Sequence, residues 1–164
     1  MASIWSRKRD LAYLAFFMTH LPIVYLIDTA PLQPAIVRTD FSQQLRDFYV
    51  ATYHDKFFSE PIPVWFNVFI WLEVLYHVPL SLWAIRGLLR DHPMVPVHLL
   101  VFGVEALITS LTCLVVVWSW PDRSVAQKQQ LTTLYGPYVA LGALMALDMT
   151  CRLRDRLMPK AKRE

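Results

Sequence analysis

The chain has 164 residues, of which 55% are hydrophobic and only 18% charged, with a formal net charge of +3. A soluble domain of this length carries more charge and spaces its apolar residues periodically, so composition argues against a water-soluble enzyme or carrier. The apolar residues instead run together, and the mean hydropathy is +0.35.

A helix needs about 20 mostly apolar residues to cross a bilayer. Four stretches reach that length, roughly residues 11–30, 62–85, 97–120 and 131–151. Helices satisfy their own backbone hydrogen bonds and can sit in lipid, and the alternation of barrel strands is absent. The expected fold class is therefore all-α, an integral membrane four-helix bundle forming a single transmembrane domain over residues 1–164. Arg7, Lys8 and Arg9 precede the first apolar run as in a signal sequence. The run is long, however, has no small-residue cleavage site in its early part, and ends near Asp28 and Pro31. It is expected to remain as the first span.

Lysine and arginine counts set the expected topology. The N-terminal flank, the second connection (Arg86, Arg90) and the tail (Arg152, Arg154, Arg156, Lys160, Lys162, Arg163) together hold eleven. The other side holds five: Arg38, Arg46, Lys56, Arg123 and Lys128. Both termini are expected to face the cytosol. The run Lys160-Ala161-Lys162-Arg163-Glu164 has two readings, a retrieval signal for endoplasmic reticulum membrane proteins or an ordinary basic flank. Because the basic residues cluster beside the spans, lipid headgroups rather than nucleic acid are the expected partner.

The first connection, residues 31–61, places Phe41, Leu45, Phe48 and Tyr49 at helical spacing among charges. A short amphipathic helix lying against the lumenal membrane face is expected there, and it could also serve as a lid over a cavity. Cys113 and Cys151 form no paired motif. Neither a metal site nor a disulfide framework is expected, and no cofactor motif is present.

Acidic residues inside the spans are the most informative feature, because a charge at mid-membrane costs a few kcal/mol, about 2.5–3.5 on insertion scales. Glu73 falls near the middle of the second span and Glu105 within the third, at similar depths by count. Two carboxyls at one depth in low dielectric cannot both ionise cheaply, so one is expected to hold a proton. Such a pair can bind an amine-bearing amphiphile or move protons as an acid and a base; the plainer role is a hydrogen bond between helices. Asp28 lies nearer the end of the first span. Asp148 stands four residues before Arg152, the spacing of a helix-end ion pair. His77 and Tyr76 follow Glu73 by four and three residues, and Thr109 follows Glu105 by four, each expected to share the face of its acid. Pro22, Pro79 and Pro137 each remove a backbone donor within a span and are expected to bend it.

The series His20-Leu21-Pro22-Ile23, Asp28, Glu60-Pro61, Trp65-Phe66, Glu73, His77, Pro79 and Tyr135-Gly136-Pro137-Tyr138 resembles the sigma-2 receptor (transmembrane protein 97) family within the EXPERA group. That family's fungal members are the efficient-mitochondria-targeting-associated proteins. The resemblance runs over the whole chain. It implies a four-helix protein of the endoplasmic reticulum, often a homodimer, that binds sterols, oxysterols and cationic amphiphiles in a pocket open towards the membrane. It implies that Asp28 and Glu73 are the acidic pair of that pocket, with Asp28 meeting the amine. Tyr49, His77, Thr109 and Tyr138 match wall positions, with His77 where a glutamine is common, and Asp55 matches an acid of the first loop. Pairing of Asp28 with Glu73 would call for a bend that Pro22 can supply. The same group holds emopamil-binding protein, a sterol isomerase, whose two acids resemble Glu73 and Glu105; Phe69 stands where that enzyme has a histidine. A third implied role is that of an adaptor in sterol transport or in delivery of mitochondrial precursors.

Overall fold

A computed structural model describes residues 3–34, 36, 39–59 and 61–158. Arg38, Glu60 and the basic run 160–163 lie outside the described residues. Among the described residues every regular element is helical. Four helices are long and apolar enough to cross a membrane: α1 (Lys8–Asp28), α3 (Val64–Leu89), α4 (Val95–Ser119) and α5 (Val125–Leu157). Between the first two lies α2 (Asp40–Tyr53), so the helix expected in the first connection is present.

Boundaries differ most for α5, which begins at Val125 rather than 131 and ends at Leu157 rather than 151. The added turns are polar but well supported. Ser124 and Gln127 form a reciprocal capping box, which satisfies two otherwise orphaned donors. At the far end Arg152 pairs with Asp148 at 2.8 Å, as its spacing predicts. Hydropathy marks where a helix enters lipid, whereas caps and side-chain pairs decide where it stops.

The chain forms two compact units, Met1–Asp91 and His92–Glu164. In the first, α1 and α3 make an antiparallel hairpin. The buried positions of α1 are Asp10, Tyr13, Phe17, His20 and Val24, a stripe at spacings of three and four. Opposite it, Ser81, Ala84 and Gly87 are buried on α3, and such small side chains let membrane helices approach closely. The end of this close-packed half is tied by Arg7. Its guanidinium bonds Asp10 at 2.5 Å, the Leu88 carbonyl at 2.6 Å and Asp91 at 3.4 Å. The Leu88 carbonyl belongs to the last turn of α3, where carbonyls lack partners within the helix and a cation is favoured. Asp91 then leaves the helix with a φ of 50°, a left-handed conformation that aspartate tolerates better than most residues.

The second unit is the hairpin of α4 and α5. Leu99, Phe102, Ala106, Cys113 and Val117 are buried on α4, and Leu131, Met145 and Met149 on α5. The helices cross at glycine. A β-carbon on Gly142 would meet the Gly103 carbonyl oxygen and the Leu107 amide nitrogen, each at 2.8 Å. At one end of the hairpin the Trp118 indole donates to Thr132 at 3.1 Å and Lys128 donates to the Trp118 carbonyl at 3.1 Å. At the other, Arg156 donates to the Pro93 carbonyl at 2.6 Å.

Candidate functional site

The first unit changes character away from its Arg7 end. Both of its spans widen there into five-residue π turns, Val24–Asp28 in α1 and Glu73–His77 in α3. In these turns the Thr29 amide bonds back to Val24, and the Val78 amide to Glu73. Pro22 lies just before the first turn and Pro79 just after the second. A proline has no N–H to give to the carbonyl four residues earlier, which disturbs the ordinary ladder beside it. Pi turns of one ring concentrate at functional positions, and here they carry Asp28, Glu73 and His77. Pro137 has no such companion, and α5 stays α-helical through it.

His77 is buried and closes the second π turn. Its ring meets that of His20 edge to face, with centroids 6.0 Å apart, and Phe16 stacks on His20 at 5.0 Å. This contact fixes the register of the hairpin. From the histidine pair, Asp28 is eight residues towards the long connection on α1 and Glu73 is four on α3. At 1.5 Å per residue, Asp28 sits about 6 Å, or one turn, beyond Glu73. The depth difference expected from counting is thus present. A wider turn keeps the i+4 residue near the face of residue i, so His77 stays on the side of Glu73.

The connection itself is built around Asp55, which is fully buried. Its carboxylate accepts from the Tyr49 hydroxyl at 2.8 Å and from the Phe57 amide at 2.9 Å, capping the turn Lys56–Phe58. Phe57 stacks on Phe66 with centroids at 4.9 Å, which seats that turn on the start of α3. The α2 helix packs on the Val24–Asp28 turn, and Asp28, half-buried, is within electrostatic reach of Asp55. Tyr49 therefore joins α2 to the acid beside Asp28.

The remaining expected site residues, Glu105, Thr109 and Tyr138, lie on the second unit, and all are half-buried. The Thr109 hydroxyl donates to the backbone carbonyls of Glu105 at 3.0 Å and Ala106 at 3.3 Å. The i+4 neighbour of Glu105 thus serves the helix backbone. Two participants were not assigned from sequence. His20 was legible only as part of a motif, since nothing local says that it meets a residue 57 positions later. Arg7 read as a topology charge, although it ties the hairpin.

Four membrane-length helices among the described residues, each carrying acidic or histidine side chains within its span, define a multi-pass integral membrane protein. Residues 41–149, more than half of the chain, match the family described as EXPERA (EXPanded EBP superfamily), and the chain belongs to that family. It is 29% identical over 147 residues to efficient mitochondria targeting-associated protein 19 of Schizosaccharomyces pombe, covering 88% of this chain and 76% of the relative. Against the protein of the same name from Saccharomyces cerevisiae it is 27% identical over 141 residues, 76% of this chain and 87% of the relative. Sigma intracellular receptor 2 of Xenopus tropicalis aligns over 171 residues at 22% identity, with 99% of each covered.

Proposed function

We propose that this protein binds a sterol or a cationic amphiphile within the membrane, and that Asp28 and Glu73 form the polar end of the site. The carrying observation is the pair of π turns. Each span of the first hairpin departs from the α-helix at one place, and those two places hold Asp28, Glu73 and His77. An ammonium lying between acids one turn apart can be met by both, while the apolar body stays among the spans. His77 belongs to the same end, and Tyr49 and Asp55 hold the connection against it. On the second hairpin, Glu105, Thr109 and Tyr138 are read as ligand-binding residues as well. The likeness to a protein named sigma intracellular receptor 2 supports a small-molecule ligand.

The site is read as a binding pocket. Purified protein in nanodiscs is expected to take up a sterol and a hydrophobic amine saturably, and mass spectrometry is expected to recover the sterol unchanged. A shifted ring double bond that Glu105→Gln prevents would replace this reading with sterol isomerisation by Glu73 and Glu105. The names of the two fungal relatives support a second role, in mitochondrial targeting of other proteins, with the ligand as regulator.

The protein is placed by this reading in the endoplasmic reticulum membrane, as a monomer or homodimer, with both termini cytosolic. A cysteine introduced at Gln44, which is exposed on α2, is expected to be shielded from a membrane-impermeant maleimide in sealed microsomes and to react once detergent is added. A sequon placed in the C-terminal tail is expected to stay unmodified, and modification of the tail sequon would reverse the topology.

A further inference from the structure

The α2 helix has three sides. Successive residues lie about 100° apart around an α-helix. Ser42, Arg46, Tyr49 and Tyr53 fall on one side and are buried or half-buried against the protein. Asp40, Gln44, Asp47 and Ala51 fall on a second side and are all exposed. The third side carries Phe41 and Phe48, seven residues apart, with Leu45 between them. Phe41 is 61% exposed and Phe48 63% exposed. The sequence pattern Phe41, Leu45, Phe48, Tyr49 thus spans one arc of about 100° whose two edges differ in burial. Tyr49 turns inward to Asp55, and the two phenylalanines turn out.

Depth decides what those phenylalanines meet. The inner side of α2 packs on Val24–Asp28, which is still part of span α1, and the following turn is seated on the first turn of α3 through Phe57 and Phe66. The helix is therefore flush with the ends of two spans rather than raised above them. Its outer sides face the boundary between hydrocarbon and headgroups, where aromatic side chains are favoured. The polar side bears Asp40 and Asp47 and no lysine or arginine, so attraction to anionic lipid is not the source of affinity.

We propose that α2 is docked in the membrane interface by Phe41 and Phe48, with the Asp40, Gln44 and Asp47 side turned to water, so that the bilayer itself holds down the element that carries Tyr49 to Asp55. The occupant of this apolar face is lipid. The proposal rests on the packing of α2 and does not depend on the ligand reading.

The test uses spin labels on single cysteines at Phe41, Gln44, Asp47 and Phe48 in the full chain carrying Cys113→Ala and Cys151→Ser, reconstituted in phosphatidylcholine vesicles. Collision with oxygen is compared with collision with a water-soluble nickel chelate. Labels at 41 and 48 are expected to favour oxygen, and those at 44 and 47 to favour nickel, with the same pattern after phosphatidylserine is added. Nickel preference at all four positions would overturn the proposal. So would protection of 41 and 48 from both reagents with dipolar broadening that dilution by unlabelled protein removes, since that means a second copy is the occupant. Protection of the Tyr49 backbone amide, inside α2, from hydrogen exchange serves as the check that a labelled chain is folded.

Discussion

Replacing Gly142 by alanine is expected to open the second hairpin. The new β-carbon would lie 2.8 Å from the Gly103 carbonyl oxygen, 2.8 Å from the Leu107 amide nitrogen and 3.1 Å from the Leu107 α-carbon. All three are backbone atoms, so no side chain can rotate aside and the helices themselves must part. Overpacking of this kind costs about 1–3 kcal/mol, and close helix contact is a main source of association energy in lipid, where apolar burial adds little. Gly136 on the same helix provides the contrast. A β-carbon there meets only the Thr132 methyl, at 3.9 Å. Gly136→Ala should be neutral or stabilising by up to about 1 kcal/mol, because alanine is the better helix former. Cys113 is buried and reports on hairpin opening. In a Cys151→Ser background, maleimide labelling of Cys113 should quicken about 5- to 150-fold with Gly142→Ala and not at all with Gly136→Ala. Equal labelling of the two variants would mean that the glycine crossing does not hold the unit together.

That crossing also marks the limit of what the sequence discloses. The four spans were legible because lipid imposes a length and a composition on any helix that crosses it. The α2 helix and the Asp148–Arg152 pair were legible because they are local, within one or two turns. Gly103 and Gly142 are 39 positions apart, Arg7 and Leu88 are 81, and His20 and His77 are 57. In each case the meaning of one residue depends on a partner that only the folded hairpin supplies. The prolines were visible, yet Pro22 and Pro79 adjoin π turns while Pro137 sits in a continuous α-helix. The missing donor is the same in all three, and the backbone's answer to it is set by tertiary surroundings. For the candidate site, Asp28, Glu73 and His77 could be chosen from sequence as polar groups that lipid would penalise. That they share the two widened turns could not.

Replacing Glu73 by glutamine is expected to separate ligands by charge. Glutamine keeps the size and much of the hydrogen bonding of Glu73 while removing its charge. An ammonium held by the carboxylate makes a charge-assisted hydrogen bond, and such bonds contribute about 1.5–3 kcal/mol. The loss of affinity for a hydrophobic amine should therefore be roughly 10- to 150-fold. A neutral sterol, which meets the same end of the site through a hydroxyl at most, should lose far less. Asp28→Asn should act in the same direction, because the register of the hairpin places it about one turn from Glu73, within reach of a cation lying between them. Its effect should carry an added part, since Asp28 lies within electrostatic reach of Asp55, on the turn against which α2 packs. The two variants can be told apart by unfolding. Glu73→Gln should leave the thermal transition of the apo-protein close to that of the wild type, whereas Asp28→Asn should move it. The decisive measurement is four titrations, an amine and a sterol each on wild type and on Glu73→Gln in nanodiscs of one lipid. An equal loss for both ligands with the fold intact would make Glu73 a link between helices and remove the charge from the binding argument.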